Sequence, residues 1–446
     1  MTVSPLNICD TLNFESEGRR LHDFAGQLYP LCRSITGCGL RESLAALKQF
    51  VPVELREVPS GTRVLDWTVP REWNIRDAWI DDSQGARIVD FRQSNLHVVN
   101  YSAPVRAKLT LAELKSHLYS IPEHPDWIPY RTSYYRESWG FCLSHRQLQS
   151  LPDGEYDVCI DSTLEPGNLT YAEFKIEGQT SEEFLISAHS CHPSLANDNL
   201  SGMAVAARLA QLLQGRRLRH TYRFLWAPGT IGAISWLARN RDSLGNIRGG
   251  LVLSCLGDAG SFHYKRSRRE NASVNSVVEQ VLVDSALGHA VERFEPMGYD
   301  ERQFCSPGFD LPVGRLSRTP NGRYAEYHTS ADNLEFIRAG ALGGSLELLL
   351  RIVETWEANR TFRNLAPHGE PQLGKRGLYR AVGGTSGTTD EAALLWVLNL
   401  ADGTNSLLDV ARRSRLSFAS VSAAAARLAN AGLLADVAAI QNHSGS

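Results

Sequence analysis

The residues best suited to chemistry lie in two short segments. ISAHSCHPSLANDNLSG, residues 186–202, ends an apolar run at His189 and places Asp198 a loop later, at the mouth of a helix, between Asn197 and Asn199. EYHTSADNL, residues 326–334, supplies His328. A neutral imidazole and a carboxylate are good ligands for Zn²⁺, and two histidines with one carboxylate leave a fourth position open. That is a catalytic rather than a structural set, so His189, Asp198 and His328 are the expected ligands of about one zinc per chain. His192 follows His189 by three residues and is either a further ligand or a substrate-contacting histidine ahead of Pro193. Cys191, between them, reads as a packed thiol rather than a thiolate ligand.

Zinc lowers the pKa of a bound water to about 7, but hydrolysis still needs a group that takes and returns a proton. If AEYH is extended, Glu326 and His328 share a face by the period of two, which makes Glu326 the first candidate. Asp258, in LGDAG, and Glu301, in DERQF, come second, and both also suit a substrate ammonium group. HYKRSRRE, residues 263–270, reads as a solvated loop after a strand end. From such a loop Lys265, Arg266 or Arg268 can meet an anionic substrate group. Tyr327 reads as packing, with a phenol able to stabilise an oxyanion.

The elements that must position these groups form an α/β series. A helical pattern runs from Phe14 to about Val51, and a strand, VELREVPS, follows. Residues 61–165 carry short aromatic and alternating segments broken by Pro and Gly, which predict an inserted β-rich domain. Strands at EEFLISAH, TYRFLWA, GGLVLSC and LPVGRL then alternate with helices up to about residue 366. This alternation predicts a mostly parallel sheet with helices on both faces, whose strand C-termini hold the site. The main domain is thus expected from residues 1–60 and 166–366. Residues 373–446 read as one helix followed by a helix–turn–helix pair, a winged-helix arrangement.

Composition narrows the function. The 446 residues carry 46 Lys plus Arg against 49 Asp plus Glu, a formal net charge of −3, which gives no electrostatic case for nucleic-acid or membrane binding. FASVSAAAARLANAG, the presumptive reading helix, has a single Arg and few polar readers. The N-terminus shows no secretory pattern, no segment approaches the roughly 20 apolar residues that cross a bilayer, and eight scattered cysteines form no CxxC pair. A cytoplasmic protein with reduced thiols is expected.

AHSCHPSLANDNLSGMA followed by YHTSADNL resembles the zinc aminopeptidases of the M28 type. More closely, the chain resembles the aminopeptidase-like proteins grouped with bacterial polysaccharide biosynthesis, on LYPLCRSITGCGLRESL, DERQFCSPGFDLPVG and the tail. That resemblance implies a zinc-peptidase-like sheet, an inserted β domain and a C-terminal winged helix. It makes His189 the first metal histidine, Asp198 the metal-bridging aspartate and His328 the last metal histidine. The departures matter more. Where M28 enzymes carry two consecutive glutamates, general base and metal ligand, this chain has Gly229 and Thr230. Cys191 replaces the aspartate two residues after the first histidine, and Asp258 is the nearest carboxylate to a further lost ligand. A dinuclear site needs more negative charge than this, so one zinc is expected.

The expected activity is hydrolysis of an amide bond in a small peptide or peptide-like metabolite. A binding protein that kept the fold without the glutamates, and a zinc deacylase or acyl transferase on an amino-sugar or amino-acid conjugate, are the alternatives. A pure binder has no use for an open zinc position. A homo-oligomer assembled through the C-terminal domain is a further expectation.

Overall fold

A computed structural model describes residues 6–379 and 389–438. The chain divides into two compact units. One comprises Leu12–Ala272 with Gly288–Glu347, and the other Met1–Thr11, Ser273–Leu287 and Leu348–Ser446.

The larger unit is built on eight strands: β1 Glu54–Pro59, β2 Asn168–Ile176, β3 Glu183–His189, β4 Thr221–Ala227, β5 Ile247–Leu253, β6 Phe262–Lys265, β7 His289–Glu292 and β8 Val313–Ser317. Their order is β1-β2-β4-β3-β5-β8-β6-β7. The four central strands β4, β3, β5 and β8 are mutually parallel. The β1–β2, β2–β4 and β8–β6 pairs are antiparallel. Every residue of β3 is buried, as expected of a strand covered on both faces. After β3 the chain turns to β4 on one side and then to β5 on the other. A crevice at the C-terminal ends of β3 and β5 follows from that reversal, and His189 is the last residue of β3.

The helical pattern expected over residues 14–51 is interrupted. Helix α1 covers Phe14–Leu28, with the Asn13 side chain accepting the Ser16 N–H as cap, and α2 covers Cys38–Ala46. Helices α3 Gly202–Leu213 and α4 Ile231–Arg239 follow β3 and β4. The run expected as a solvated basic loop is partly a strand, since Phe262–Lys265 pairs with β7 and β8 and Lys265 is buried. Its partner β7, which the sequence reading missed, lies at the sheet edge. Within the inserted segment, Arg87–Asp90, Glu72–Asp81, Glu155–Glu165 and Val105–Thr110 form a four-stranded antiparallel sheet in that order, over its own apolar cluster around Ile80, Phe141 and Tyr156.

In the smaller unit the helix α5 Ser273–Ser285 belongs with the C-terminal residues. Those form helices at Thr389–Leu400, Leu407–Ser414 and Phe418–Asn430 and a three-stranded sheet of Thr361–Asn364, Asp402–Ser406 and Leu434–Asp436. The sheet thus draws in residues ahead of position 373, where the sequence reading began the C-terminal module. Ser406 and Asp409 make a capping box on the second helix, and Ser417 caps the third. Among the described residues no helix is long and apolar enough to cross a membrane.

Candidate metal centre

Asp198 is wholly buried and gathers three imidazoles. Its Oδ1 lies 2.6 Å from His189 Nε2, and its Oδ2 lies 3.1 Å from His328 Nε2 and 3.9 Å from His192 Nε2. One ligand atom from each of His189, His192 and Asp198 falls within 4.8 Å of the others. Burial alone would favour the neutral acid of Asp198. The neighbouring His192 and His189, with hydrogen bonds from His189 and His328, outweigh it and hold the carboxyl well below the usual range. Burial pushes the His192 imidazole well below its ordinary pKa, so the ring stays neutral with a lone pair to offer. A divalent cation fits this donor set, replacing the protons that the rings now share with the carboxylate.

The backbone around Asp198 is fixed from several sides. Asp332, itself buried, accepts the N–H groups of Asn197 at 2.6 Å and Asp198 at 3.1 Å, and the Tyr324 hydroxyl at 3.3 Å. Burial, reinforced by the charge on Asp198, pushes the Asp332 carboxyl up to about 7 against those donors. The Asn199 amide donates to the Leu253 carbonyl at 2.9 Å, lies 3.2 Å from His189 Nδ1, and accepts the N–H of Cys255 and of Gly202. Asn199 therefore ties β3 to the end of β5. Buried Arg33, from the interruption between α1 and α2, donates through Nε to the His192 carbonyl at 2.8 Å and through Nη1 to the Leu28 carbonyl. Burial pulls its guanidinium pKa down to about 10.

The inserted segment closes one side. Tyr130 donates its N–H to the His328 carbonyl at 2.7 Å, and its ring meets the edges of His192 and His328 at 5.2 and 5.1 Å. A bridge between Pro129 and Thr329 and bonds between Ile128 and Ser330 continue the seam. These contacts hold His328 at φ +57°, a left-handed conformation rare in a non-glycine residue. The His328 side chain is 33% exposed while those of His189 and Asp198 are sealed, so the centre opens to solvent on the His328 side.

Aromatic rings lie flat on two of the histidines. Tyr327 stacks on His328 at 3.9 Å and Tyr299 on His189 at 3.7 Å. Burial pushes the Tyr299 phenol well above its ordinary pKa, so it stands as a donor.

Residues 22–359 match the family described as a domain of unknown function, DUF4910. The chain belongs to the DUF4910 family. Residues 360–436 match a winged helix-turn-helix family. The DUF4910 chain is 48% identical over 423 residues to a Clostridium acetobutylicum protein provisionally named a polysaccharide biosynthesis protein with aminopeptidase-like domain, covering 95% of this chain and 97% of that one. A crystal structure from C. acetobutylicum, provisionally described as a peptidase, superposes with a TM-score of 0.91 at 46% identity, over 95% of this chain and 98% of the other. A zinc aminopeptidase from Bacillus subtilis shares the fold, with a TM-score of 0.55 at 12% identity over 75% and 94% of the two chains. The aminopeptidase-like α/β fold and the winged helix implied by the resemblance are borne out.

The DUF4910 chain brings His189, His192, Asp198, His328 and Tyr327 together. The other expected groups sit in different local settings. The segment around Glu326 is a turn rather than extended, with Thr329 N–H bonded back to the Glu326 carbonyl, so the same-face argument for Glu326 does not hold. Among the described residues the Glu326 carboxylate has no hydrogen bond or ion pair. Asp258 is buried and saturated by Asn197 Nδ2, Thr319 N and Oγ1, and Gly260 N. Glu301 is buried against Lys265 at 2.5 Å and Arg315 at 3.6 Å, which leaves it no face for a substrate ammonium. Arg266 continues the pairing of β6 with β7, three strand positions or about 14 Å across the sheet from β3. Cys191 is buried, accepts the Gly229 N–H at 3.2 Å, and has its thiol pushed up to about 12 by burial, as a packed thiol should.

The sequence reading missed Tyr130, Arg33, Asn199, Tyr299 and Asp332 as site residues. Asn199 and Asp332 sit inside the two segments that carry His189, Asp198 and His328, so nearness in sequence was their signal. Tyr130 had none.

Proposed function

We propose that this DUF4910 chain is a zinc-dependent hydrolase that cleaves an amide bond in a small peptide-like metabolite. The convergence of His189, His192 and His328 on the sealed Asp198 carboxylate, with one open side, is the observation that carries the reading. Zinc bound there would supply a water of lowered pKa and polarise the scissile carbonyl. The chain's part is to hold that centre rigid through Asn199, Asp332 and Arg33 and to line its mouth with Tyr130 and Tyr327. The name of the C. acetobutylicum relative supports a substrate drawn from glycan assembly, and the free cysteines fit a reducing, cytoplasmic setting.

One observation favours a second reading, a binding protein that lost the glutamates. Tyr299 occupies the space beside Gly229, and neither Asp258 nor Glu301 is free to take a proton. Elemental analysis and a substrate panel decide between the two. The hydrolase reading expects about one zinc per chain, and release of amine from amino-acid amides, dipeptides or N-acyl amino sugars that stops with a chelator and returns with zinc. Protein purified without chelators and free of zinc would favour the binder; cleavage confined to the N-acyl sugars would make it a deacylase.

We infer further that the winged helix serves assembly rather than DNA reading. A reading helix works through its N-terminal residues. Here the N-terminus of Phe418–Asn430 is occupied, because Phe418 N–H donates to Asp284 of α5 at 2.9 Å. The exposed face of that helix carries Ala419, Ala423 and Ala426 with Arg427, whose guanidinium donates to the Leu378 carbonyl. Fluorescence anisotropy with duplex DNA at physiological salt is expected to find no binding tighter than the micromolar non-specific range. Nanomolar, sequence-selective binding would reverse the inference.

A further inference from the structure

The turn that lacks the two carboxylates is filled from another loop. A Cβ placed on Gly229 would lie 2.2 Å from the Tyr299 hydroxyl, so the phenol stands where a side chain at position 229 would begin. The next residue, Asp300, accepts the Thr230 N–H at 2.7 Å and fixes the same turn. Tyr299 is anchored from behind. Its N–H donates to Glu301 Oε2 at 3.1 Å, and Glu301 is locked by Lys265 and Arg315. Gly298 lets the loop pass, since its φ is +134° and a Cβ there would meet Glu301 Oε1 at 2.3 Å. The ring lies over His189 at 28° to its plane. Among the described residues the hydroxyl has no oxygen or nitrogen acceptor, only the Cys191 sulfur at 3.9 Å. A phenol held on a metal ligand with its donor unspent is suited to an oxygen that gains charge.

We propose that the Tyr299 hydroxyl takes over the vacated position beside His189 and donates a hydrogen bond to the substrate carbonyl oxygen as negative charge develops on it. This rests on the hydrolase reading. It makes Tyr299 a catalytic residue supplied by the 298–301 loop in place of the missing side chain at 229.

The test uses the full-length protein loaded with zinc and acetohydroxamate as the probe, whose oxyanion stands in for the charged oxygen. Calorimetry should show that Tyr299→Phe keeps the zinc and the melting temperature but binds acetohydroxamate roughly tenfold or more weakly. Gly229→Ala, which pushes the phenol aside, should lose a similar factor, and the double variant no more than either alone. Unchanged hydroxamate binding in Tyr299→Phe would overturn the assignment. So would loss of zinc in that variant, because Tyr299 would then only prop His189. An unsubstituted protein that takes up no zinc, or takes it and ignores the hydroxamate, would instead overturn the hydrolase reading.

Discussion

Asp198→Asn should lower zinc affinity by about a thousandfold while the protein stays folded. The carboxylate is the one anion among the four donors, it is sealed from water, and both of its oxygens face imidazoles. Asparagine keeps the shape and removes the charge. A buried cation that loses its only counter-charge forfeits roughly 3–5 kcal/mol, which is about two to three and a half decades in a dissociation constant. Competition against a chromogenic chelator measures the shift directly. His189→Ala and His328→Ala should each release zinc as well. A protein that keeps one zinc per chain through all three changes would place the metal elsewhere.

The second large effect lies behind the site. Among the described residues Glu301 is the one carboxylate paired with Lys265 and Arg315, and all three side chains are at most 5% exposed. Glu301→Gln strands two buried cations and should cost roughly 3–5 kcal/mol of stability. Urea denaturation of the variant should show a lowered midpoint at unchanged slope. Adding Lys265→Met to Glu301→Gln should recover only part of the loss, because Arg315 stays buried without a counter-charge. A loss below about 1 kcal/mol for Glu301→Gln would mean that water reaches the cluster and screens it.

The parallel sheet and the clustering of the histidines were legible because each rests on local chemistry. β3 is a mostly apolar run that ends on His189, and the Asp198 and His328 motifs are contiguous. The same-face placement of Glu326 fails because it needed an extended backbone. The chain turns there instead, held by Thr329 bonds to the Glu326 carbonyl and by Tyr130 on the His328 carbonyl. Tyr130 comes from the inserted segment, and no pattern around it announces a partner 198 residues away. Lys265 read as solvated because its neighbours Arg266, Arg268 and Arg269 are charged. The counter-charge that draws it inside is Glu301, 36 residues later. The C-terminal module packs with α5, which lies between β6 and β7 in the chain, through Arg412 to Glu279 and Phe418 to Asp284. Cutting the chain near residue 373 would therefore expose α5, a dependence invisible in a sequence read one segment at a time.

The fit of Tyr299 against Gly229 also bears on how such a site can change over generations. Any side chain placed at position 229 would meet the phenol at its first carbon, so the ring must move before that residue fits. Shrinking Tyr299 first would open a hole beside His189. Positions 229 and 299 are therefore expected to vary together, because each fills the room the other would need.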